Sequence, residues 1–149
     1  MRSFILAAVA TGVTLFGAAQ ASAETFEVEM LNQGPDGTRN VFAPALLEIE
    51  PGDTVRFVAV DKGHNAAAID GAIPAGAEAF EGKINETFEV TLTEPGIYAY
   101  KCTPHLGLGM VGVIVVGGDT SNLSAVEDQR YVGKARQVMA DLLAKVADS

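Results

Sequence analysis

Cysteine occurs once and histidine twice in this chain of 149 residues. A lone Cys102 cannot close an internal disulfide, and it cannot supply the Cys-x-x-Cys-His attachment of a c-type haem. Cys102, His64 and His105 together fall one short of the four ligands of a structural zinc site. No further histidine remains for the reactive coppers of a multicopper oxidase or reductase. Positive charge is also scarce: 10 Lys and Arg stand against 19 Asp and Glu, a formal charge of −9. Phosphate and anionic lipid are bound through Lys and Arg, so nucleic acid and membrane surfaces suit this chain poorly. Beyond the N-terminal stretch there is no apolar run long enough to span a bilayer.

That N-terminal stretch is a different matter. Arg2 is followed by an almost continuous apolar or small run from Phe4 to Ala19, then by Ala21-Ser22-Ala23. A positive start, a short apolar run and a small-x-small site form an export leader. The run is short for a membrane anchor, which takes about 20 apolar residues. Residues 1–23 are therefore expected to be a cleaved signal peptide and 24–149 a single domain. The leader removes one cation and no acid, so the mature chain has 9 cations against 19 acids, a charge of −10. For a bacterial source the compartment is the periplasm. A free thiol in an oxidising compartment invites chemistry unless it is bridged to another chain, deeply buried or bound to metal.

From Thr25 to Val116 the pattern is one of short strands. Phe26 to Met30 and Thr87 to Leu92 alternate apolar and polar residues with period two. Thr54 to Val60, Ile97 to Lys101 and Val111 to Val116 are rich in β-branched and aromatic residues, and Ala45 to Ile49 is a weaker candidate. Gly34-Pro35-Asp36-Gly37, Glu50-Pro51-Gly52-Asp53 and Glu94-Pro95-Gly96 are turns between them. Strands without intervening helices predict an all-β, Greek-key antiparallel sandwich over about residues 24–117. After Gly117-Gly118 the period changes. Ser121 or Asn122 can cap a helix through Gln129. Ala135, Val138, Met139, Leu142, Leu143 and Val146 then mark the buried stripe of a second helix. The two helices are expected within about 120–147.

The chemistry is concentrated in Lys101-Cys102-Thr103-Pro104-His105-Leu106-Gly107-Leu108-Gly109-Met110. This is Cys-x2-His-x4-Met in a predicted loop between two strands, with glycines that let the loop fold tightly. His64, in Asp61-Lys62-Gly63-His64-Asn65, follows another predicted strand. Taken singly, Cys102 and Met110 read as core fillers and each His as structural. Taken together, a thiolate, two imidazoles and a thioether are the donor set of a blue-copper site. Thiolate and thioether favour Cu(I) while imidazole suits both oxidation states, so little need move when an electron arrives. One copper ion held by His64, Cys102, His105 and Met110 is the expected cofactor, and no catalytic residues are assigned.

These residues resemble the cupredoxin family, its pseudoazurin branch in particular. The resemblance runs through Pro51-Gly52-Asp53-Thr54-Val55, Val60-Asp61-Lys62-Gly63-His64-Asn65, Ile73-Pro74-Ala75-Gly76-Ala77-Glu78, Lys83-Ile84-Asn85-Glu86 and Lys101-Cys102-Thr103-Pro104-His105. It implies eight strands, three equatorial ligands in His64, Cys102 and His105, and an axial Met110. It also implies that Asn65 pins the ligand loop by hydrogen bonds. Pro104, lacking an N–H, would help tune the potential beside the thiolate. The implied function is a monomeric periplasmic carrier of single electrons, donating to a copper nitrite reductase or a similar enzyme. Docking would use an apolar patch of Leu106, Gly107, Leu108 and Pro44 around His105, rimmed by Lys62, Lys83, Lys101 and Arg39. Two other classes share some of these residues. A copper-delivery protein would use the same ligands without the patch, and a cysteine-dependent enzyme would need a reactive, metal-free Cys102.

Overall fold

The computed structural model describes residues 22–149, so the expected leader lies almost wholly outside the described residues. Eight strands form two four-stranded sheets. The first sheet runs in the order β2 (Arg39–Ala43), β1 (Thr25–Gln33), β4 (Thr54–Val58) and β6 (Phe88–Thr91). The second runs β3 (Leu46–Ile49), β8 (Val111–Val116), β7 (Gly96–Lys101) and β5 (Ala67–Ala68). Helices α1 (Leu123–Glu127) and α2 (Ala135–Ala147) follow.

The two sheets read differently because they are covered differently. In the first sheet Val28, Met30, Val55 and Phe57 turn inward and are buried, while Glu27, Glu29, Arg56 and Glu89 face solvent. That is the alternation of a sheet with one wet face. β8 is buried at every position. One of its faces, through Ile114 and Val116, joins the inter-sheet core with Tyr98, Tyr100 and Cys102. Its other face, through Val111, Val113 and Val115, packs on Met139, Leu142, Leu143 and Val146 of α2. A strand covered on both sides needs an unbroken apolar run, which explains why Val111 to Val116 does not alternate. Truncating a buried leucine of α2 to alanine costs about 2–5 kcal/mol.

The sandwich and the two helices agree with expectation, but the strand sense does not. The sheets are mixed: β1 pairs with β4 in parallel, and β3 with β8 in parallel, alongside the antiparallel pairs. A Greek-key chain that crosses between sheets and returns takes whichever neighbour is free, so reversal along the chain does not fix sense within a sheet. β2 and β5 were not legible as strands. β2 carries Asn40 at a positive φ of 54°, which breaks its pattern, and β5 has only two residues. Asn122 sits at the N-cap of α1 as expected, yet its side chain does not cap. It accepts from Ile97 N at 2.9 Å and donates to Ile97 O at 2.9 Å, tying α1 to β7.

Candidate metal centre

The β7–β8 connection is a tight loop whose base is closed by its own backbone. The last ladder pair is Lys101 opposite Val111, and Cys102 N then donates to Met110 O at 3.0 Å. Between them Thr103–Leu108 form a 3-10 turn with Pro104 in its first positions, where a missing N–H costs nothing. His105 N donates to Cys102 O at 3.2 Å, and Met110 N donates to His105 O at 3.2 Å. Gly109 ends the turn at φ 95°, a left-handed conformation that suits glycine. Cys102 and Met110 are both fully buried in the inter-sheet core, whereas His105 is half-buried at the loop's outer edge.

His64 reaches this loop from a different part of the chain. β4 ends at Val58, so His64 lies in the irregular segment beyond it and not at a strand end. It is nonetheless fully buried. Its Nδ1 stands 3.1 Å from His105 Nδ1 and 3.7 Å from Cys102 Sγ, and His105 Nδ1 is 3.5 Å from the same sulfur. Three donor atoms from two remote segments thus face one point. Bonds of about 2.0–2.1 Å to imidazole and about 2.3 Å to thiolate, the lengths found for zinc, span sides of this size. Thiolate, imidazole and the neighbouring buried thioether residue are the soft and borderline donors that suit copper.

The protonation of His64 follows from its other nitrogen. Nε2 lies 2.9 Å from Asn32 Oδ1, an oxygen that only accepts. Nε2 therefore carries the proton, and Nδ1 presents its lone pair to the site. Burial, and next the charge of His105, hold His64 below the usual histidine range against the opposing pull of Asp61, which favours the neutral, ligating form. Burial likewise pushes the Cys102 thiol up, while the backbone N–H groups of Asn65 and His105 pull it down. A neutral thiol is therefore the resting form without metal, and a bound cation is what favours the thiolate.

Asn65 joins the two segments. Its Oδ1 accepts from Thr103 N at 2.8 Å, and its Nδ2 donates to Thr103 Oγ1 at 3.2 Å and to Gly82 O at 3.1 Å. The predicted pinning of the loop is thus visible as hydrogen bonds. Pro104 is exposed on the turn two residues after the thiolate. Asn32 was not singled out from sequence. A faint signal existed: it shares the parity of Val28 and Met30 along β1, although Asn32 itself is exposed at the strand's end.

The exposed large hydrophobics among the described residues are Val60, Ile84, Leu108 and Val132, and each lies on a segment bonded to the ligand loops. Lys62 and Lys83 are exposed, and Lys101 is half-buried. Leu106 is half-buried and packs against the core cluster to which α2 contributes. Pro44 and Leu108 remain exposed and border a groove of about 840 Å³ that also reaches Arg39 and Lys134.

A buried cysteine facing two imidazoles, with a methionine in the same core of a two-sheet sandwich, defines a cupredoxin with a type 1 copper site. The pattern of the copper binding proteins of the plastocyanin/azurin family matches residues 28–117. The pseudoazurin of Paracoccus pantotrophus is 48% identical over 93% of this chain and 95% of its own length. Among solved structures, a Sinorhizobium pseudoazurin is 50% identical with a TM-score of 0.80, covering 83% of this chain and 96% of that one. The pseudoazurin of Methylobacterium extorquens AM1 is 36% identical with a TM-score of 0.78, covering 82% and 98%. The chain belongs to the plastocyanin/azurin family of copper-binding proteins, within its pseudoazurin branch. It is an electron carrier on a type 1 copper and not an enzyme. Among the described residues no helix is long and apolar enough to cross a membrane.

Proposed function

We propose that His64, Cys102, His105 and Met110 would hold the copper, which would supply the one-electron couple, with the half-buried His105 as the side of the site nearest a partner. The observation that carries this reading is the meeting of His64 Nδ1, His105 Nδ1 and Cys102 Sγ within 3.7 Å of one another. Copper supplies the one-electron couple when bound. The chain supplies the rest: Asn32 fixes the tautomer of His64, the sandwich excludes water from the thiolate, and the loop holds its shape by its own backbone bonds. A donor set that both oxidation states accept, on a framework that resists movement, keeps rearrangement small.

Exposed Leu108 on the copper loop, with exposed Val60 and Ile84 on the segments that carry and brace His64, supports docking of a redox enzyme at this end. Lys62, Lys83 and Lys101, with Arg39 at the groove, would steer an acidic partner such as a copper nitrite reductase. Steering of this kind acts on the association rate and fades beyond about 10 Å at ordinary salt. The leader-like residues 1–23 support export to the periplasm and a mature domain over 24–149. Transient docking suits a monomer. A delivery protein must release its metal, and the enclosed Cys102 and closed loop argue against ready release. A cysteine-dependent enzyme needs an accessible thiolate, and Cys102 is fully buried with its thiol pushed up by that burial.

The test uses the chain without residues 1–23 and one equivalent of Cu(II). The expected result is an intense thiolate-to-copper band at about 600 nm, in the range of blue sites. It should bleach on reduction, return on oxidation, and be absent in Cys102→Ala. A pale copper complex, or a band that survives the substitution, would overturn the assignment.

A further inference from the structure

His64 is a buried ligand on a segment with no regular secondary structure, so something outside the segment must fix its backbone. Asn85 does this on both sides at once. Gly63 N donates to Asn85 Oδ1 at 2.6 Å, and Asn85 N donates to His64 O at 2.9 Å. One residue thus brackets the Gly63–His64 peptide from before and after. Asn85 itself stands at φ 67°, in the left-handed region. Non-glycine residues enter that region at a cost, although asparagine tolerates it better than most. Glycine would satisfy the conformation without cost but would leave Gly63 N without this acceptor. Side chain and strained backbone together point to a role, and strain of this kind gathers at functional sites.

The wider wiring strengthens the case. Gly82 N donates to Ala66 O at 2.9 Å, and Asn65 reaches both Gly82 O and Thr103. The segment from Gly82 to Asn85 is therefore bonded to the His64 segment at each end, and through Asn65 to the copper loop. Gly63, at φ 94°, is otherwise a freely jointed residue directly before the ligand. Its Cα faces the other imidazole, since a Cβ built on it would lie 4.0 Å from His105 Cε1. Asn32 sets the rotation of the His64 ring. Asn85 sets where that ring starts.

We propose that Asn85 is a positioning residue for the metal centre, holding His64 at one distance from His105 and Cys102 in both oxidation states. This rests on the reading of His64 as a copper ligand. In the copper-loaded protein, Asn85→Gly keeps the backbone conformation and removes the acceptor. It is expected to change the Cu(II)/Cu(I) equilibrium constant about threefold, which is about 28 mV for one electron. It should also change the relative intensities of the charge-transfer bands and the copper hyperfine splitting. Asn85→Asp keeps an oxygen for Gly63 N–H and should restore the native band pattern, with the potential lowered by its added charge. His64→Ala run alongside separates two failures. If it leaves the blue band intact, the ligand reading falls. If it removes the band while Asn85→Gly leaves spectrum and potential native and lowers only the melting temperature, Asn85 is a turn residue and the proposal fails. Failure of Asn85→Asp to restore the bands would overturn it as well, because the Gly63 bond would not be the cause.

Discussion

The two segments that meet at the metal centre are built in opposite ways. Residues 102–110 close on themselves, with Cys102, His105 and Met110 linked by backbone bonds inside a single hairpin loop. The segment around His64 makes its fixing bonds to other parts of the chain: Asn32 on the ring, Asn85 on the backbone and Asn65 one residue on. The first segment carries its geometry with it. The second borrows its geometry from asparagines on β1, before β6 and beside the ligand itself. Exposure divides along the same line, since His64 is fully buried while His105 is half-buried at the rim. The self-closed loop carries the more exposed of the two imidazoles. The borrowed segment depends on residues far away in sequence, so it can be altered without touching the 102–110 loop.

Substitutions can test this contrast in order of severity. The largest effect falls on the shared joint. Asn65→Ala removes the partners of Thr103 N and Gly82 O near the core, which should cost about 2–3 kcal/mol and loosen both segments. Thermal unfolding of the copper-free and copper-loaded forms would measure it, with a smaller loss once copper ties the segments together. Next, Asn32→Leu leaves the self-closed loop intact but frees the His64 ring and its tautomer. Copper affinity should fall about 10–100-fold, read by competition with a chelator. On the other side of the comparison, Gly109→Ala strains the loop at φ 95° and presses on Lys134 Cβ and Val138 Cγ2, both 3.2 Å away. Its cost should exceed about 1 kcal/mol in denaturant unfolding, since alanine is penalised where φ is positive. The smallest effect belongs to the rim. Lys62→Gln and Lys83→Gln should leave spectrum and stability unchanged and slow electron transfer to an acidic partner at low salt, with the difference vanishing as salt rises.

The same division explains what was legible in the sequence. Cys102, His105 and Met110 stand out as proposed ligands because a hairpin loop gathers thiol, imidazole and thioether into one short stretch with fixed spacing. His64 joins them as a proposed ligand by inventory, being the one other histidine in the sequence, and it lies beside Cys102 and His105. Asn32 and Asn85 went unremarked as partners of the site because their roles depend on register across sheets, which local spacing does not encode. Strand content followed the same rule. The uninterrupted Val111 to Val116 was clear, whereas Arg39 to Ala43 was hidden by a left-handed Asn40, and the parallel pairs arise from crossings between sheets.

X-ray absorption at the copper edge, on the oxidised and reduced protein, tests the central claim most directly. The account predicts one short copper–sulfur contact and two imidazole nitrogens in both states, with bond lengths that shift little on reduction and a sulfur contact absent from Cys102→Ala. A copper shell without short sulfur, or one that loses or gains a ligand as the electron arrives, would contradict it.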